Sequence, residues 1–271
     1  MARKRKTTKK RWFRWLPWYL VFVISFNISH AIVPTIGGPN PDTLITDTRE
    51  DETSVAYIIA GNSDQPSRVI QGKILEYLKG NFNKIIFLNY SWHGYDPNKF
   101  IQYAVDDIAA LPEDTKITIY GISQGAQPAI AICNLTGAKL VLINPSTGLK
   151  SLQSGWKIGC IAGDIVFSAA GWFGYLPIFD KIEPNAQGYG LVTFRDQCRA
   201  VWSFKTKQPN NPELVEIIIS TEDELLDNNS VIKNFQGYKI IVIETKHADL
   251  IGSQDEYLNA IATFDEYSES R

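Results

Sequence analysis

The chain has 271 residues, room for one large α/β domain with an insertion or for two small domains. Hydrophobic residues make up 44% and charged residues 21%, a balance that excludes a disordered chain. Eight of the 27 basic residues lie in the first fourteen (Arg3, Lys4, Arg5, Lys6, Lys9, Lys10, Arg11, Arg14), and the 19 that remain face 29 acidic residues, so the body carries about −10 and is a poor electrostatic partner for nucleic acid.

An apolar run, Leu16 to Phe26, follows the basic cluster. Two readings of residues 1–33 stand side by side. In one, the run extends to Val33 and anchors the chain in a membrane. Its 18 residues just suffice to span, with Trp15, Trp18 and Tyr19 at the interface and the basic cluster held inside. In the other it is a signal peptide, cut after Ala31, with small residues at Ser29 and Ala31. Either way the body is expected outside the cytoplasm, secreted or held by a single span. A buried core helix fits so dense a basic cluster poorly.

Residues 34–42 (PTIGGPNPD) are rich in Pro and Gly and read as a linker to a domain covering 43–271. From there, short apolar runs alternate with helix-like stretches. The predicted strands are Thr43 to Thr46, Val55 to Ala60, Lys84 to Asn89, Lys116 to Tyr120, Lys139 to Ile143, Val215 to Ser220 and Lys239 to Glu244. Most lack clean alternation, as strands covered on both faces do. Helical spacing predicts helices over 65–79, with Gly80 as the stop, and over 97–111, closed by Pro112. Two more are predicted over 124–134 and 254–264. Strand alternating with helix implies an α/β fold with a doubly wound, mainly parallel sheet.

The alternation breaks once. About 147–212 is too long for an ordinary loop and is crowded with aromatics, among them Trp156, Phe167, Trp172, Phe173, Trp202 and Phe204. It reads as an inserted helical cap; the plainer reading is an extra helical pair on the sheet edge. The three cysteines, Cys133, Cys160 and Cys198, form no metal-binding pattern. Cys160 and Cys198 either pair, in an oxidising compartment, or stay single and buried.

The chemistry centres on Gly121-Ile122-Ser123-Gln124-Gly125, a G-x-S-x-G pentapeptide. On its own it is a weak signal. Its context is stronger, because it follows a strand, Ile117 to Tyr120, and opens an Ala-rich helix at Ala126. That strand–turn–helix arrangement lifts a serine hydroxyl clear of the sheet and turns N–H groups toward it. The plain alternative is a strand-to-helix turn with a serine cap.

A serine nucleophile needs a base, and the chain has three histidines. His30 lies in the leader. His93, in Tyr90 to Asp96, is read as a rim or surface residue. His247 follows the last strand, at the sheet edge where such folds form sites, and is the preferred base. The base needs a carboxylate to fix its tautomer. Asp223, in Thr221-Glu222-Asp223-Glu224 after a strand, is the best placed, with Glu222, Glu224 and Asp227 as rivals. An oxyanion hole would take the backbone N–H of Gln124, after the nucleophile, and of Asn62, in the turn Gly61-Asn62-Ser63 after the early strand.

With these residues in order, Ser123, Asp223 and His247, the chain from about residue 43 onward resembles the α/β-hydrolase superfamily. The insertion after Ile143-Asn144-Pro145 sits where that family often carries a cap. The resemblance implies a serine hydrolase without cofactor or metal, acting on a small-molecule acyl substrate. Departures are Ala60-Gly61 where many relatives have His-Gly, Ala126 where many have a second glycine, and short or missing strands before Thr43. The expected activity is cleavage of a carboxylic ester or thioester, with an apolar group suggested by the aromatic insertion. Alternatives are a serine aminopeptidase or acyltransferase on the same triad, or an inactive hydrolase-like binding protein at the cell surface.

Overall fold

Seven stretches of the chain pair into one sheet in the order β1-β3-β2-β4-β5-β6-β7. The computed structural model describes residues 16–22, 24, 40–45, 54–61, 70–89, 97–170 and 208–269. The strands are β1 (Asn40–Ile45), β2 (Ser54–Ile59), β3 (Lys84–Asn89), β4 (Lys116–Ile122), β5 (Lys139–Ile143), β6 (Val215–Glu222) and β7 (Lys239–Lys246). All neighbouring pairs are parallel except β1 with β3. The helices are α1 (Gly72–Asn81), α2 (Pro97–Ala109), α3 (Ala126–Thr136), α4 (Ser154–Ala170), α5 (Asn228–Asn234) and α6 (Gln254–Glu269).

Period-two alternation splits each inner strand between two cores. Val55, Tyr57, Ile59, Leu140, Leu142, Ile217 and Ile219 face one side, where Phe100 and Ala104 of α2, Ala129 and Ile130 of α3, and Phe235 after α5 cover them. Ala56, Ile58, Phe87, Val141, Ile143 and Ile218 face the other side, under Ile74 and Leu78 of α1 and Tyr257, Ile261 and Phe264 of α6. With both faces buried, these strands carry apolar residues at nearly every position, which is why they show little alternation in sequence.

The winding reverses at the centre. From β2 the chain runs through α1 on one face to β3. From β3 it crosses over β2 through α2, on the opposite face, to β4. The carboxyl ends of β2 and β4 therefore open a crevice where successive connections leave on opposite faces, the place where open α/β sheets form sites.

Some boundaries differ from the sequence expectation. β1 begins at Asn40, so it takes in the end of the Pro- and Gly-rich stretch. Pro41 lies in an edge strand, where proline is tolerated. Gly80 does not stop its helix, which runs on to Asn81. The Asn81 side chain donates to Tyr77 O and Phe82 N–H donates to Leu78 O, which hold the last turn. Residues 62–69, the first part of the helix predicted over 65–79, lie outside the described residues, as do 171–207 of the insertion. The described part of the insertion is a 3-10 turn, Leu149–Ser151, followed by α4. Among the described residues no helix is long and apolar enough to cross a membrane.

Candidate active site

β4 ends at Ile122, and Ser123 to Gly125 form a single 3-10 turn before α3. Ser123 sits at φ +52, a left-handed conformation that a residue with a Cβ rarely adopts. The strain is held by close packing on three sides. A Cβ on Gly125 would lie 2.2 Å from Ile59 O, and one on Gly121 would lie 2.6 Å from Ala129 Cβ. A Cβ on Gly61 would lie 2.7 Å from Ser123 Cβ, so the backbone leaving β2 passes directly beside the serine. The glycines thus let β2, β4 and α3 close on one another, and the serine hydroxyl is left half-buried at the crevice.

His247 directly follows β7, in a turn where Ala248 takes φ +45 and Leu250 N–H donates to Ala248 O. Its Nε2 lies 2.8 Å from Ser123 Oγ and its Nδ1 lies 2.6 Å from Asp223 Oδ2. A carboxylate can only accept, so Nδ1 carries the proton and Nε2 is left to accept from the serine. The His247 backbone N–H donates to Glu224 Oε2 at 3.2 Å, which fixes the start of the turn.

Asp223 follows the end of β6, and its side chain is fully enclosed. Oδ1 accepts the N–H groups of Leu225 (2.9 Å) and Leu226 (2.8 Å). Oδ2 accepts His247 Nδ1–H and, at 2.9 Å, the Asn144 amide. Burial pushes the carboxyl pKa up. The hydrogen bond and charge of His247, with the two backbone donors, outweigh burial and hold it below its ordinary value. Its rivals go elsewhere: Glu222 and Glu224 are exposed, and Asp227 accepts from Ser230 at the start of α5.

The structure therefore brings Ser123, His247 and Asp223 into one hydrogen-bonded chain from three different strands. Gln124 is buried directly behind Ser123. Asn62 lies outside the described residues, as do His30, His93 and Cys198. The sequence reading missed a buried polar cluster behind the acid: Asn144, Ser220, Thr245 and Tyr257. Burial pushes the Tyr257 phenol up, so it remains a neutral hydroxyl. The one signal in the sequence is a polar residue, Asn144, at the carboxyl end of an otherwise apolar inner strand.

The insertion begins beside the acid. Gln153 N–H donates to Leu225 O, its side-chain amide donates to Asp223 O at 2.6 Å, and Leu152 bridges Leu226. Further along, Trp156, Ile158 and Ile161 of α4 are exposed. Cys133 is free and buried, and burial raises its thiol to about 11, so it makes a poor nucleophile. Cys160 is disulfide-bonded. Among the described residues no group of three His, Cys, Asp or Glu side chains is arranged to hold a metal.

No protein-family model matches the chain, and no curated protein matches it. Solved structures do match. The putative non-heme bromoperoxidase BpoC from Mycobacterium tuberculosis H37Rv superposes with a TM-score of 0.59 at 12% identity, over 86% of this chain and 97% of that one. MGS-M2, an alpha/beta hydrolase enzyme from a Medee basin deep-sea metagenome library, gives 0.53 at 16% identity, over 86% and 96%. A structure from work on carboxylesterases of the thaumarchaeon Nitrososphaera gargenis gives 0.56 at 14% identity, over 86% and 95%. At these identities the likeness is one of fold: the chain has the α/β-hydrolase fold.

Proposed function

We propose that the chain is a serine hydrolase that cleaves a carboxylic ester or thioester through an acyl-enzyme. The observation that carries this reading is the unbroken relay from Ser123 Oγ to His247 Nε2 (2.8 Å) and from His247 Nδ1 to Asp223 Oδ2 (2.6 Å). The left-handed serine at the end of β4 supports it, because a structural serine cap needs no such strain.

In the proposed reaction His247 Nε2 takes the Ser123 proton as Oγ attacks the carbonyl carbon. Asp223 stabilises the imidazolium that forms and keeps the ring in register. Backbone N–H groups of Gln124 and Asn62 take up the oxyanion. Collapse of the tetrahedral intermediate breaks the bond to the leaving alcohol or thiol, which receives the proton from His247. Water, deprotonated by His247, then cleaves the acyl-enzyme, and the proton returns to Ser123. The exposed Trp156, Ile158 and Ile161 of α4 support an apolar substrate group. Leu16, Trp18, Tyr19, Leu20 and Ile24 are also exposed. With the basic cluster ahead of them, they support membrane attachment of the N-terminal segment, the body lying outside the cytoplasm.

The test is turnover of p-nitrophenyl esters of graded chain length by the purified chain. The expected result is activity that favours an apolar acyl chain and falls by at least about 10³-fold in Ser123→Ala. Equal rates for the wild type and Ser123→Ala would overturn the reading.

A further inference from the structure

We infer that Asn144 is a positioning residue for the acid of the relay. It holds the Asp223 carboxylate in the orientation that serves His247, and it is itself held by the hydroxyls of Ser220 and Tyr257. This inference rests on the serine-hydrolase reading above.

The Asp223 loop alone secures only one carboxylate oxygen. Leu225 and Leu226 N–H groups both go to Oδ1, and nothing in that loop hydrogen-bonds to Oδ2, the oxygen that accepts His247. The second donor to Oδ2 comes from a different strand. Asn144 directly follows β5 and its Nδ2 reaches Oδ2 at 2.9 Å. The amide orientation is unambiguous. A carboxylate only accepts, so Nδ2 faces Asp223 and Oδ1 is left to accept from Tyr257 OH at 3.0 Å and from Ser220 Oγ at 3.1 Å. With this bond the carboxylate accepts two donors on each oxygen, which fixes its rotation about the Cβ–Cγ bond.

The same residue ties together the strand ends that carry the relay. Its backbone N–H donates to Ile218 O of β6, the strand that delivers Asp223. Ser220 of β6 and Thr245 of β7 meet at 2.7 Å, and Tyr257 OH reaches Lys246 O at the end of β7, next to His247. Two residues on from Asn144, Ser146 N–H donates to Ser123 O at 2.9 Å. Asn144 is 1% exposed and sits at φ +47, a conformation that asparagine accepts more readily than most residues. The titratable groups around this centre are Asp223 and Glu224 after β6, His247 and Asp249 after β7, and Tyr257 of α6.

The test compares kcat, KM and the pH dependence of kcat/KM for the wild type, Asn144→Gly, Asn144→Asp and Tyr257→Phe, with thermal melting to check folding. Asn144→Gly keeps the left-handed backbone and removes the donor. It is expected to lower kcat by about tenfold, one charge-assisted hydrogen bond's worth, with KM within about twofold. Asn144→Asp keeps the shape and sets a second carboxyl against Asp223. Two buried carboxyls at this distance share one proton, so the added carboxyl, protonated, donates to Asp223 in place of the amide. Its kcat is expected to stay within about threefold of the wild type at neutral pH and to fall at high pH, where that proton leaves, as a new basic limb. Tyr257→Phe disturbs the cluster without removing the donor and is expected to lower the melting temperature with less effect on kcat.

An Asn144→Gly variant that folds and keeps the wild-type kcat would overturn the role of Asn144. So would a Tyr257→Phe effect on kcat equal to that of Asn144→Gly, which would reduce Asn144 to a packing residue. If Asn144→Gly does not fold, the near-isosteric Asn144→Asp decides: a kcat unchanged at high pH, where its added carboxyl is ionised and no longer donates, would overturn the role. A wild type without Ser123-dependent turnover removes the serine-hydrolase reading itself, a result distinct from either.

Discussion

Ser123 owes its left-handed turn to neighbours that have no side chain. Gly125 faces Ile59 O, rigid backbone at 2.2 Å from an added Cβ, so nothing nearby can yield cheaply. Gly125→Ala is expected to destabilise the fold by about 3 kcal/mol, the upper range for overpacking, as read from urea denaturation. Gly61 meets the serine side chain itself. The atom met is Ser123 Cβ, which the backbone fixes, so Gly61→Ala is expected to lower both kcat and the denaturation midpoint. Asp223 carries a pH dependence of its own. Its carboxyl is held below the ordinary 3.8, so the folded state gains stability that is present above that value. That stability is lost as pH falls through the depressed folded value. Melting followed from pH 5 downward should show a steeper loss for the wild type than for Asp223→Asn.

At the scale of elements, the acid loop is stitched to the base of the insertion. Gln153 donates to Asp223 O and Leu226 O, and the backbones of Ser151 and Gln153 bond to Asp227 and Leu225. Gln153→Ala is expected to cost about 1 kcal/mol and to lower kcat more than it raises KM, because it frees the loop that aims Asp223. The strands and the elbow were legible in the sequence because each rests on a local pattern: a β-branched run, or a glycine, serine and glycine between strand and helix. The end of the helix at Asn81 was not, since Gly80 looks like a stop and the Asn81–Tyr77 and Phe82–Leu78 bonds carry the chain past it. Of the cluster of Asn144, Ser220, Thr245 and Tyr257, only Asn144 left a signal, a polar residue closing an apolar strand. The cluster's members come from three strand ends and a helix, up to 113 residues apart, and no local pattern marks residues that meet only after the sheet is wound.

For the whole molecule, the sheet's winding places the ends of β4, β6 and β7 on one side of a crevice, and each supplies one member of the relay. The N-terminal segment and α4 carry exposed apolar side chains as well, among them Trp18, Trp156 and Ile158. The proposed attachment predicts that the chain stays with membranes washed in carbonate and high salt. Release by the wash would count against the anchor, and a mature N-terminus at Ile32 would establish a cleaved leader.

The central claim is that Ser123 is an activated nucleophile. Labelling of the purified chain with a fluorophosphonate, followed by mass mapping of the adduct, addresses it most directly. One adduct on Ser123, absent from Ser123→Ala and strongly slowed in His247→Gln, is the predicted result. A wild type that labels no more than Ser123→Ala would contradict it.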